Sequence, residues 1–354
     1  MSRRPARRPA GVVLPAFIAL LSAAALLTYN HMGGDAQVSA LLDALAASKP
    51  FVASSFALEA GFSPDEDAFH NPSPAAASPP QADAPEAETA AESALPAQEA
   101  APAAEIPAQD KRDTDIEIRN DAERTVDAAA MLDDPYEIKV SGEGPQVLIY
   151  HTHSTEAYTP SGSDQYKASG SYRTRDQNQS VIRVGTELKK VLEARGIETV
   201  HITDIFDDPA YNGSYGRSLT AAQAMLEKYP GIKVTIDLHR DAILTDDGRQ
   251  YRLATTIGGQ EMAQMMLVIG TDTSGLTHPH WQDNMNFAVN LQADINGAYP
   301  GLMRPVNLRQ QRFNTHLRRG SILLEVGSSG NTLQEAITAA RLFGEKLADR
   351  ISPA

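Results

Sequence analysis

From Glu143 to the C-terminus, apolar residues recur in two alternating rhythms. Short unbroken apolar runs read as buried strands, and longer stretches with apolar residues every three or four positions read as helices packed by one face. "QVLIYH" is the first such strand. In "NQSVIRVGTELKKVLEARG", Val181, Val184, Leu188, Val191 and Leu192 share a helical face and Gly196 closes the helix. "ETVHIT" follows as a strand, "RSLTAAQAMLEKYPG" as a helix stopped by Pro-Gly, and "KVTIDLH" as a third strand. "RLATTIGG" and "MMLVIGTD" predict two more strands, and a helix from about His280 to Tyr299 places Phe287, Leu291 and Ile295 inward. "SILLEVG" is another buried strand, and "TLQEAITAARLFGEKLADRI" is a terminal amphipathic helix. Strands alternating with helices of this length predict an α/β domain with a mostly parallel central sheet flanked by helices.

Upstream the rhythm stops. Gly61 to Asp110 holds Pro, Ala and acid with few large apolar residues. Such a segment cannot bury enough surface to offset its ordering entropy, which predicts a disordered linker. Extended at ~3 Å per residue, a Pro-rich segment of this length reaches on the order of 100 Å. Residues 36–60 contain one short amphipathic stretch and no recognisable chemistry. The chain opens with "MSRRPARRPA", four arginines and no acid, ahead of the uncharged apolar run Gly11–Tyr29. A run of roughly 18 such residues can cross ~30 Å of hydrocarbon as a helix, and it exceeds the ~7–15 residues usual in a cleaved signal. The expected organisation is a basic cytoplasmic segment with a signal-anchor helix in 1–30, a short extracytoplasmic segment in 31–60, a Pro/Ala/acid-rich linker in 61–141 and a folded domain in 142–354. The basic flank stays inside, so the expected location is a single pass through the cell membrane with the domain outside the cytoplasm. Small residues in "LSAAALL" leave cleavage open.

A net charge of −14 argues against nonspecific attraction of the whole chain to nucleic acid or anionic headgroups. The absence of cysteine excludes disulfides and thiolate ligands, so any zinc would be held by His and carboxylate side chains. In α/β sheets, active groups gather outside the carboxyl ends of the strands. Three predicted strand ends carry candidates: His151 and His153 with Glu156, then His239, then Glu325. Each alone reads as a hydrogen-bonded or salt-bridged structural residue; their coincidence points to a metal site. Glu325 lies between Leu324 and Val326 and needs a partner, because an unpaired buried carboxylate is costly. Arg240 and Asp241 read either as supports for a ligand or as surface residues. His278 and His280 in "THPHW" have ligand-like spacing but fit a helix-start loop better, and His316 is open between a cleft-lining and a structural place. No GxGxxG, P-loop or GxSxG motif supports nucleotide use or serine hydrolysis.

Taken in order, "VLIYHTHSTEAY", "VGTELKKVLEARGIETVH", "TIDLHRDA", "RFNTHL" and "GSILLEVGSSGNTLQEAITAARLF" resemble the stage II sporulation protein P family. The resemblance covers about Gln146 to Asp349. It implies the fold of the zinc-dependent N-acetylmuramoyl-L-alanine amidases, membrane anchoring outside the cytoplasm, and peptidoglycan as substrate. Family members cleave the stem peptide from the glycan and in some cases cut peptide crosslinks. The resemblance further implies Zn2+ held by His153 and His239, with Glu325 as the catalytic glutamate. The wider fold takes its glutamate ligand from the start of the first helix, where this chain has "RTRDQNQS" and no Glu. Either Glu156 or Asp176 then completes the set. Glu156 is preferred, since it follows His153 by three residues across a turn. His151 would orient a ligand or bind substrate, as would Arg240, with Arg173, Arg175 and Arg312 also expected near the cleft.

The reaction so implied is hydrolysis of the amide between N-acetylmuramic acid and the L-Ala of the stem peptide, with water at an open zinc position and Glu325 moving its proton. The expected partners are peptidoglycan, the inner membrane through the N-terminal helix, and a lytic transglycosylase, with no nucleic acid. Two other readings stand beside this one: a zinc endopeptidase acting only on stem-peptide crosslinks, and a non-catalytic wall-binding module that positions a partner glycan hydrolase. Glu325 argues against the second.

Overall fold

The computed structural model describes residues 108, 112–140, 143–169, 172–245 and 248–352. The expected anchor, the 31–60 segment and the linker up to 107 lie outside them. The described strands are β1 (Ile118–Asn120), β2 (Val147–Tyr150), β3 (Thr199–His201), β4 (Val234–Asp241), β5 (Ala254–Ile257), β6 (Gln260–Ala263), β7 (Met265–Gly270), β8 (Val306–Arg309) and β9 (Ser321–Ser328). The helices are α1 (Ala128–Asp133), α2 (Val181–Ala194), α3 (Ser214–Lys228), α4 (Trp281–Ala298) and α5 (Leu333–Ile351).

Seven strands form one sheet in the order β1-β8-β7-β9-β4-β2-β3. Every neighbouring pair is parallel except β7 and β9, which run antiparallel. The expected α/β architecture with a mostly parallel sheet is therefore present, built as two parallel blocks of opposite direction. The carboxyl ends of β9, β4, β2 and β3 consequently share one edge, and those of β1, β8 and β7 share the other.

Alternation along β2 shows why the sheet is covered on both sides. Val147 and Ile149 belong to the large core with α2, α4 and α5, whereas Leu148 and Tyr150 point to a smaller cluster containing Ala222 and Leu226 of α3. Helix α2 starts at Ser180, whose side chain accepts from Ile182 N, and α5 starts with a capping box between Thr332 and Glu335. The two helices approach closely at Gly344, where a Cβ would lie 2.9 Å from Leu188 Cδ1.

The fold also departs from the expected boundaries. Strand β1 and helix α1 fall within 61–141, the stretch assigned to the linker, yet Ile118 pairs with Val306 of β8, and Ile116, Ala122, Ile138 and Val140 are buried. Folded structure thus begins upstream of Gly142. "RLATTIGG" forms half of the separate β5-β6 hairpin, whose turn places Gly258 and Gly259 at φ 60° and 81°, the left-handed pair that a tight hairpin requires. Among the described residues, no helix is long and apolar enough to cross a membrane.

Candidate active site

The edge where β2, β4 and β9 end carries the candidate residues. Past Tyr150 the chain turns, and Thr152 fixes the turn by donating from N (2.8 Å) and Oγ1 (2.6 Å) to the buried carboxylate of Asp237 on β4. This presents His153 and, one turn on, Glu156, whose N donates to His153 O (3.2 Å). Asp237 and His239 share one face of β4 by the period of two. Glu325 is in parallel register with His239 on the adjacent strand β9, so the two side chains stand side by side. Immediately beyond, the register slips: Asp241 pairs with Ser328, so β9 carries one residue more than β4. Gly327 sits in that bulge at φ 66°, and a Cβ there would lie 2.8 Å from Ala263 Cβ and from Asn331 Oδ1. Bulges of this kind re-aim side chains beside functional sites.

The charges interlock. His239 Nδ1 lies 3.4 Å from Glu156 Oε2, and its Nε2 lies 2.9 Å from Asp237 Oδ1. The second approach is close in distance but poorly directed, and Nε2 makes no aligned hydrogen bond. Burial opposes a charge on this ring, but Asp237 and Glu156 outweigh it and hold its pKa well above the ordinary histidine value. Glu156 is likewise buried, and its bond to His239 and the charge of Arg240 hold it well below the usual carboxylate range. Its Oε2 also accepts from Arg240 N (3.1 Å). The His153 and His239 rings meet edge to face with centroids 5.2 Å apart. Burial pushes His153 down to about 3. Burial, and then the charge of Asp241, push Glu325 up to about 8, and its Oε2 is a buried oxygen without a hydrogen-bond partner.

Other expected residues are placed differently. His151 is fully buried beneath α2, with Nδ1 2.8 Å from Leu238 O and Nε2 2.8 Å from His201 Nε2. It is wholly enclosed between β4 and His201, so it does not face a cleft. Arg240 is also buried: its Nε donates to Ala157 O (2.9 Å) and Nη2 to Tyr172 O (3.0 Å), so it braces the Glu156 loop from behind. Arg173 binds Asp207 at 2.6 Å, lies 3.6 Å from Glu156 and covers the Tyr211 ring at 4.7 Å. Arg175 pairs with Asp208. Asp176 is exposed and accepts from Asn178 N in a local turn, while Glu156, with Asp237, lies against His239. Arg312 donates to Thr277 O (3.3 Å), and His278, His280 and His316 lie on the side of α4 and the 3-10 turn Thr315–Leu317, with His278 Nε2 3.0 Å from Thr315 Oγ1.

Three residues of the site have no counterpart among the sequence candidates. Asp237 carried a usable signal, an acid inside the apolar strand "VTIDLH" two positions before His239. Tyr211 stacks on His153 at 4.3 Å with its hydroxyl 3.0 Å from Nε2, and Tyr215 meets the same ring edge-on at 5.6 Å. Nothing in their local spacing marks them.

A model of the family described as stage II sporulation protein P (SpoIIP) matches residues 65–348. The chain belongs to the SpoIIP family. Stage II sporulation protein P of Bacillus subtilis strain 168 is 28% identical over 222 residues, 58% of this chain and 52% of that protein. This SpoIIP chain thus spans about half the length of the curated relative it matches. Among solved structures, it is similar to an N-acetylmuramoyl-L-alanine amidase from Clostridium difficile 630 (17% identity, 58% of this chain and 94% of that one, TM-score 0.33). It is also similar to the amidase Ami1 from Mycobacterium abscessus (10%, 58% and 99%, TM-score 0.36).

The donor chemistry of this SpoIIP site suits a zinc ion: two imidazoles and a carboxylate on one edge, with His239 Nε2 and Glu325 Oε2 as buried polar atoms lacking hydrogen bonds. Among the described residues, no three such side chains are already drawn around one point. The hydroxyl of Tyr211 stands against His153, and His239 is clamped between two carboxylates.

Proposed function

We propose that this SpoIIP chain hydrolyses peptidoglycan at the amide joining N-acetylmuramic acid to the L-Ala of the stem peptide, with zinc held by His153, Glu156 and His239. One observation carries the reading: Glu325, a carboxyl whose buried Oε2 lacks a hydrogen-bond partner, stands in register beside His239 on the neighbouring strand, and Glu156 lies against that same ring. When bound, zinc supplies Lewis acidity toward the amide carbonyl and lowers the pKa of water toward ~7. The chain's own groups do the rest. Glu325 accepts a proton from the attacking water and returns it to the departing amine, the paired roles of a general base and general acid. Asp237 and Glu156 flank His239, 2.9 Å from Nε2 and 3.4 Å from Nδ1, and fix the position of the ring between them. Tyr211 and Tyr215 wall His153, and Arg173, paired with Asp207, covers the Tyr211 ring and holds it there.

We also propose an envelope location for this SpoIIP chain. Gly11–Tyr29 anchors it in the inner membrane, the folded part works outside the cytoplasm, and a lytic transglycosylase acts on the same wall. Mass spectrometry of sacculus digests tests the chemistry. Stem peptides with a free N-terminal L-Ala should accumulate, vanish with chelator and return with zinc. Cleavage of crosslinks alone would replace the amidase reading with an endopeptidase, and digestion indifferent to chelator would remove zinc from it.

A further inference from the structure

At the edge opposite the candidate site, a cavity of about 460 Å³ opens at the amino ends of β4 and β9. Tyr136, Ile232 and Leu317 contribute apolar walls, and four cations, Lys139, Lys233, Arg318 and Arg319, line it against one acid, Glu137. Lys139 bonds Arg350 O (3.0 Å) and lies 3.4 Å from Glu137, and Arg319 lies 3.2 Å from Asp283. Lys233 and Arg318 have no carboxylate partner among the described residues, although the whole chain carries −14. The surplus of negative charge is concentrated: Asp65–Asp110 holds ten acidic residues and no Lys or Arg, so −10 of the −14 lies there.

We propose that this basic cavity docks the chain's own acidic segment. Opposite charges attract without a defined register, and tethering raises the local concentration of the segment to the millimolar range on the order of which weak contacts fill. The geometry allows it. Arg112 and Asp113 are fixed to α4, with Arg112 Nε 3.0 Å from Asp294 Oδ1 and Asp113 N donating to Ala293 O at 3.0 Å. His280, which lines the cavity, is the N-cap of the same helix. Thirteen residues of helix separate His280 from Ala293, ~20 Å at ~1.5 Å per residue. Glu99 lies thirteen residues upstream of Arg112 and reaches ~40 Å when extended at ~3 Å per residue. Glu92, Glu99 and Glu105 are therefore the acids best placed to fill the cavity, and docking them shortens the tether between this fold and whatever precedes it.

Zero-length carbodiimide cross-linking of the full chain, read by mass spectrometry, tests this. Lys233 should cross-link to Glu92, Glu99 or Glu105 at least several-fold more than Lys190 or Lys346, which lie outside the cavity. The yield should fall several-fold in 0.5 M NaCl, in Arg318→Glu, and in the triple variant Glu92→Gln/Glu99→Gln/Glu105→Gln, whose changes lie away from the described fold. Equal yields at all three lysines, or a Lys233 yield to the segment that ignores salt and Arg318→Glu, would overturn the proposal. Loss of these cross-links on adding 1 mM inorganic phosphate at constant ionic strength would assign the cavity to a free anion and overturn it as well.

Discussion

Two histidine pairs lie within a few residues of each other and have nearly the same shape. His151 and His201 meet at 5.1 Å and 68° beneath α2; His153 and His239 meet at 5.2 Å and 82° at the strand ends. Their surroundings separate them. Leu238 O can only accept, so His151 donates from Nδ1, its Nε2 accepts, and His201 must donate from its own Nε2. The pair is closed, neutral and walled by Gly185, where a Cβ would sit 2.8 Å from both rings. The second pair is also buried, but His239 Nε2 is left without a hydrogen bond. The pair faces Glu156, Asp237 and Glu325; burial pushes His153 down, whereas Asp237 and Glu156 hold His239 up against its own burial. What marks the second pair as a site is therefore the carboxylates around it and the unspent capacity of His239 Nε2 and Glu325 Oε2, since His153 is itself bonded to Tyr211 and Ser214, and ring geometry alone does not reveal it.

The largest effect expected at the second pair comes from Glu325→Ala. Amide hydrolysis should fall by ~10²–10⁴, the usual weight of a general base, with zinc content unchanged. Loss of the metal in that variant would make Glu325 a ligand instead. Glu156→Ala should lower zinc content and turnover together, measured by metal analysis and muropeptide release on the same preparation; full turnover in this variant would return the third-ligand role to Asp176.

The closed pair should respond in stability, with the metal unaffected. Gly185→Ala forces a methyl into the His151 and His201 rings, and overpacking of this sort costs ~1–3 kcal/mol. Denaturant unfolding should show that loss while the folded fraction keeps its zinc stoichiometry, and an unchanged midpoint would mean the rings have room to move. The smallest effect is with pH. Burial, and then Lys189, push His201 down to about 4, so between the unfolded value of ~6.5 and about 4 the unfolded chain binds the proton first and stability falls as pH falls through that window. His201→Gln should flatten the slope in acid unfolding curves. A slope of the same size in the variant would assign the effect to other groups, such as His278 and His316, which burial pushes down to about 3 and about 4.

Much of this was legible in the chain. Long periodic stretches such as Val181–Leu192 announce α2, and His153, Glu156, His239 and Glu325 can be picked out because polar groups at the ends of apolar runs need partners. The missing parts were those whose stability is entirely tertiary. "IRN" of β1 and "VNLR" of β8 are short and half polar, and they become strands only by pairing with each other and with β7. An apolar run has no direction, so "MMLVIG" could not reveal that β7 opposes β9. His151 and His153 look alike in "HTH", and Arg240 looks as available as any arginine, until the packing of α2 and the Glu156 loop shows which side chains are enclosed.

Zinc stoichiometry of purified His153→Ala, His239→Ala and His151→Gln, compared with the unaltered protein, tests the division between the two pairs most directly. The unaltered protein should bind one zinc per chain. His153→Ala and His239→Ala should bind none, and His151→Gln should retain the metal with affinity lowered at most ~10–100-fold, the range for groups that support a ligand from behind. An empty His151→Gln beside a zinc-loaded His153→Ala would contradict the account, and the closed pair would then be the metal site.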